Sequence, residues 1–72
     1  MTAYTKRLRD LREDHDLTQK DIAAKLHMTQ QQYQAYESGK VQLPITLLQD
    51  ISTIYNVSAD YILGMTNDPR RK

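Results

Sequence analysis

Four glutamines, Gln30, Gln31, Gln32 and Gln34, fall within five positions between Thr29 and Ser38. A carboxamide presents donors and an acceptor on one planar group. That set matches the N6 and N7 edge of adenine in the major groove of double-stranded DNA, and each such pair contributes about 1–3 kcal/mol of discrimination. Glutamine is also an ordinary polar helix former, so the cluster takes its meaning from its setting. At about 100° per residue, Tyr33, Tyr36 and Glu37 share one side of a helix over 29–38, with Gln32 at the border. Gln30, Gln31, Gln34, Ala35 and Ser38 share the other. The aromatic side must face the core. The outward side is then uncharged and rich in amides, where an exposed helix face ordinarily carries Lys and Glu.

The same phase turns Glu37 inward, and a buried carboxylate needs a partner. Arg12, one residue past Leu11 at the edge of an apolar face, is the expected one. Phosphate oxygens are best met at helix starts and flanks. Candidates there are Gln19, Thr29, Ser38 and Lys40, with Arg7 from the first helix and Lys6 and Arg9 as further cations or plain solvated charges. Catalysis and metal binding find little support. His15 and His27 are isolated, there is no cysteine, and two glycines make no phosphate-cradling loop. Neither an enzyme activity nor a cofactor or metal is expected.

These residues are to be positioned by five helices, over 3–14, 18–26, 29–38, 44–55 and 58–63. Tyr4, Leu8 and Leu11 give the first its apolar stripe. Thr18 with Asp21 and Thr29 with Gln32 have capping-box spacing, and Ser58 caps in the same way. Leu17 and Ile22, Met28 and Tyr33, and Val57 and Ile62 stand at the flanking staple positions. Pro44 suits a first helical turn but brings no capping oxygen. Gly39 and Gly64 fit left-handed stops, and His27 occupies a turn position that Gly or Asn would hold more easily. The connection Leu26-His27-Met28-Thr29 joins two short helices at the length of a helix-turn-helix, whose second helix enters the major groove. Strand signals are absent.

Seventy-two residues make one domain, which buries only about 60% of its unfolded surface. It is expected over 1–66, followed by a polar, flexible tail over 67–72. Net charge is +1, unevenly spread: residues 41–67 carry Asp50 and Asp60 and no cation, while the first forty hold seven cations against six acids. That is a modest positive footprint. No secretory or membrane-spanning stretch is visible, so a cytoplasmic place beside bacterial or phage DNA is expected, away from membranes.

The run Leu17-Thr18-Gln19-Lys20-Asp21-Ile22-Ala23, then Met28-Thr29-Gln30 and Tyr36-Glu37-Ser38-Gly39-Lys40, resembles the phage repressor/Cro-type (Xre) helix-turn-helix family. The segment from Tyr55 to Gly64 looks like that family's closing segment. The resemblance covers about residues 4 to 66. It implies an all-α, compact five-helix lambda-repressor-like domain. It also implies binding to a double-stranded operator, commonly as a homodimer on a palindrome, and regulation of transcription, with repression the expected sense. It maps Gln19 onto a phosphate contact, Gln30 and Gln31 onto base-reading positions, Ser38 onto a backbone contact and Arg12 with Glu37 onto an interior ion pair. Helical phase adds Gln34 as a base reader and leaves Gln32 for base or backbone work. Departures are His27 where Gly is usual, Tyr33 where Ile is frequent, and Ala35 where a longer polar reader often stands; Ala35 can offer a thymine methyl an apolar contact. Two other readings remain at this point: an antitoxin that also neutralises a toxin (an antirepressor would be a similar protein partner), and a protein-interaction module without DNA binding. The amide face argues against the second, because protein interfaces favour aromatic and Arg anchors.

Overall fold

A computed structural model describes residues 3–70, and of Ala3 the backbone alone. Arg71 and Lys72, the end of the expected tail, lie outside the described residues. Five helices follow one another: α1 (Ala3–Asp14), α2 (Gln19–Lys25), α3 (Gln30–Glu37), α4 (Ile45–Tyr55) and α5 (Ala59–Ile62). The all-helical expectation holds, and the boundaries differ mainly because the capping residues stand just outside their helices.

The starts are fixed by side-chain oxygens that satisfy backbone N–H groups with no intrahelical partner. Thr18 Oγ1 accepts from Asp21 N at 3.1 Å, while Asp21 Oδ2 accepts from Thr18 N at 3.0 Å. These bonds, the backbone one foremost, hold the Asp21 carboxyl below the usual carboxylate range. Thr29 and Gln32 repeat the reciprocal pair at 3.1 and 3.0 Å, and Ser58 Oγ accepts from Tyr61 N at 3.0 Å. Pro44 corrects the expectation of a helix beginning at 44. With ψ at 153° it is the extended cap residue, and helical backbone begins at Ile45. A preceding proline cap supplies the carbonyl that Leu48 N needs but no side-chain bond.

The helix ends share one device. Asp16, His27, Gly39, Asn56 and Gly64 all have φ between 55° and 82°, one after each helix. Past α2, His27 N donates to Ala24 O and Met28 N to Ala23 O, the paired bonds of a left-handed stop. His27 therefore does hold a conformation that costs a residue with a Cβ. The left-handed stops at Asp16 and Asn56 were not anticipated from the sequence.

One core gathers Leu8 and Leu11 of α1, Ile22, Ala23 and Leu26 around α2, Tyr33 of α3, Leu47, Ile51 and Tyr55 of α4, and Val57 and Ile62 around α5. Leu17 and Met28 pack on it from their staple positions, as does Tyr36 at partial burial. α2 packs on α3, α1 on both α3 and α5, and α4 on α5. Ser52 adds a buried hydroxyl that donates to the Val57 carbonyl across the α4–α5 turn. Residues beyond α5 fold back: Asn67 Oδ1 accepts from Arg7 at 2.7 Å, Ser58 N donates to Pro69 O at 2.9 Å, and Arg70 pairs with Asp68. Among the described residues, no helix is long and apolar enough to cross a membrane.

Candidate nucleic-acid interface

Two inward residues hold α3 and so decide what it shows outside. Tyr33 is fully buried, and Glu37 is buried with its side chain 5% exposed. Arg12 Nε donates to both Glu37 oxygens, at 3.1 and 3.3 Å, from a side chain 15% exposed, which is the ion pair expected from the helical phase. A second Arg12 nitrogen donates to Leu17 O at 2.9 Å, tying the α1–α2 connection to the same pair. Glu37 Oε2 also accepts from Gln19 Nε2 at 3.1 Å.

With α3 so anchored, its amides divide into two groups. Gln30, Gln31 and Gln34 are exposed, and among the described residues none makes a side-chain hydrogen bond. Gln32 is turned back: its Oε1 accepts from Thr29 N, so its carbonyl is committed to the cap and its NH2 remains. Ala35 is half-buried beside the free group. Thr29 Oγ1 accepts within the cap and keeps its own O–H to donate. Ser38 Oγ donates to Ala35 O at 3.2 Å, and Lys40 is exposed and unpaired just past the left-handed Gly39.

The structure brings some phosphate candidates together and separates another. Gln19 and Ser38 line one depression of about 310 Å³ with Arg9, Arg12, Glu13 and Glu37. Thr29 and Lys40 bracket α3 at its two ends. Arg7 stands apart, its guanidinium 4.0 Å above the Tyr61 ring and bonded to Asn67 on the α5 side. Lys6 and Arg9 form i,i+4 pairs with Asp10 and Glu13 on exposed α1. Two features were missed in the sequence: Gln19 turns inward to Glu37, and the Tyr33 and Tyr55 hydroxyls share that charge without a hydrogen-bond partner of their own. Burial first, then the Glu37 charge, pushes both phenols up, Tyr55 to about 12. Among the described residues, no cluster of three or more His, Asp or Glu is placed to hold a metal.

Comparison with known proteins bears on this arrangement directly. A family model described as helix-turn-helix matches residues 8–62, from the core Leu8 to the core Ile62. The chain belongs to the helix-turn-helix family, of the Xre/Cro type. Relatives from Bacillus subtilis (strain 168) agree. The chain is 41% identical over 69 residues to the "Uncharacterized HTH-type transcriptional regulator YobD", covering 96% of this chain and 62% of that protein. It is 38% identical over 66 residues to the "Uncharacterized HTH-type transcriptional regulator YqaE", covering 90% and 57%. It is 37% identical over 59 residues to the "HTH-type transcriptional regulator ImmR", covering 82% and 46%. The chain thus spans roughly half to three-fifths of the length of these helix-turn-helix relatives. Within the family motif, α2 and α3 are the paired helices, and they pack on one another.

Proposed function

We propose that this helix-turn-helix chain binds a specific double-stranded DNA sequence and regulates transcription, with repression as its sense and no chemical step or cofactor. The observation that carries the reading is the division of α3. Gln32 and Glu37 serve the fold, while Gln30, Gln31 and Gln34 stand exposed with no side-chain partner. Free amides on the second helix of the motif suit hydrogen bonding to base edges, adenine foremost. Thr29, Ser38, Lys40 and Gln19 surround that face as phosphate contacts. Arg7 is the weakest of the proposed phosphate contacts, because its cation is already engaged by Tyr61 and Asn67. With few free cations, one copy contacts on the order of three to five phosphates, and affinity falls with salt accordingly. The printed names of the three relatives, all HTH-type transcriptional regulators, support the same reading. The protein acts beside DNA in the cytoplasm.

Operator binding is proposed to use a homodimer. Among the described residues, the large apolar side chains left exposed are Val41, Ile45, Leu63 and Met65, all C-terminal to α3 in the chain. The test of the function is enrichment of wild-type binding sites from a random duplex library, followed by titration at two salt concentrations. Recovery of a common sequence with a salt-dependent affinity supports the proposal. No affinity for any duplex even at low salt overturns it.

A further inference from the structure

Gln19 opens α2 on the surface, yet its side chain is half-buried and donates Nε2 to Glu37 Oε2 at 3.1 Å. That carboxylate cannot drift. Arg12 Nε spans both its oxygens, and the same guanidinium holds Leu17 O, two residues before Gln19. One buried charge, on the last residue of α3, therefore fixes a side chain from α1, a side chain from α2 and the connection between those helices. A primary amide is planar, with two N–H donors on one nitrogen. With one N–H spent on Glu37, the second and the carbonyl oxygen are held in the same plane. They stand beside Ser38 and Arg9 in the depression between α1, α2 and α3. A flexible surface glutamine loses rotamer freedom when it binds an anion, whereas one already anchored has less to lose.

We propose that Glu37 is a positioning residue for DNA contact: held by Arg12, it sets the Gln19 amide so that its remaining N–H meets a single phosphate oxygen. The inference rests on the DNA-binding reading above. It makes the interior ion pair part of the contact surface, acting through Gln19, in addition to its role in the fold.

Two measurements test it. In the free wild-type protein, the Gln19 side-chain amide proton bonded to Glu37 is expected to exchange with water about tenfold more slowly than those of Gln30, which has no partner. Exchange at the same rate overturns the inference without any variant. On an enriched site, Gln19→Ala is expected to weaken binding about tenfold, and the Arg12→Met, Glu37→Met double variant by the same factor. The double variant keeps an apolar core, since buried pairs are often replaced this way without loss of stability, and its melting temperature verifies that. Adding Gln19→Ala to it should cost nothing more. Ethylation interference should lose one phosphate signal, the same one in Gln19→Ala and in the double variant, a change that general loosening of the fold would not produce. A folded double variant with wild-type affinity and footprint overturns the positioning role while leaving the DNA-binding reading intact. Absence of duplex binding by the wild type overturns both.

Discussion

A carboxylate taken out of water without partners costs several kcal/mol, and Glu37 avoids this by accepting from Arg12 and Gln19. Removing it leaves Arg12 charged and uncompensated in a side chain only 15% exposed. Glu37→Ala is therefore expected to cost about 3–5 kcal/mol. That is a large share of the roughly 4–11 kcal/mol expected of a 72-residue domain, so the urea midpoint of the variant should fall steeply. The neighbouring Tyr55 has the opposite sign. Its buried hydroxyl lacks a partner, so Tyr55→Phe is expected to stabilise by about 1 kcal/mol, raising the melting temperature by roughly 4–8 °C. The same residue shapes the alkaline limb. Its folded pKa of about 12 lies above the ordinary 10, so the fold favours the neutral phenol. That contribution is complete below pH 10 and lost as pH rises through 12, with Tyr33 acting in the same direction. Melting curves from pH 9 to 12 should show a shallower alkaline loss in Tyr55→Phe than in wild type. The inward turn of Glu37 and its pairing with Arg12 were legible in the sequence because helical phase puts Glu37 on the core side of its helix and Arg12 at the edge of the apolar face of α1. The Gln19 bond was not, since a glutamine at a helix start reads equally well as a solvent-facing donor.

At the scale of elements, the helix starts were the most legible part of the chain. Thr18, Thr29 and Ser58 each supply an oxygen three residues before an N–H that needs it, a local relation that spacing alone reveals. The Thr29 cap has a second duty, because Gln32 answers it and is thereby drawn away from the outward face. Thr29→Ala should cost about 1 kcal/mol in stability by chemical denaturation. The backbone N–H at position 29 stays and can still hold Gln32 Oε1, so base preference should change little. The α4 start lies one residue later than the spacing predicts, because a proline fits both the cap and the first turn and only ψ distinguishes them. The stops at Asp16 and Asn56 were hidden for a related reason. Asp and Asn tolerate the left-handed region, but they are also common in any exposed loop, so their presence does not announce a stop. Arg7 shows the limit of local pattern most plainly. Its partners Tyr61 and Asn67 lie more than fifty residues away, and no periodicity in α1 points to them.

Across the whole molecule, the exposed α3 amides and the large exposed apolar side chains belong to different segments of the chain. Ile45, the first residue of α4, is 77% exposed, and Met65, beyond α5, is 74% exposed. If a second copy covers them, Ile45→Asp and Met65→Asp should shift sedimentation toward monomer and flatten cooperative binding to a palindrome, while affinity for an isolated half-site stays unchanged. Phosphate contacts carry no sequence information directly, so on the proposed reading discrimination between sequences comes chiefly from Gln30, Gln31 and Gln34. The most direct test is the ratio of affinities for an enriched site and a random duplex, measured at one salt concentration for wild type and for Gln30→Ala, Gln31→Ala. The double variant is expected to lose about 2–6 kcal/mol of that preference, from two pairs of about 1–3 kcal/mol each, while its weak binding to random DNA persists. An unchanged ratio in a folded double variant would contradict it.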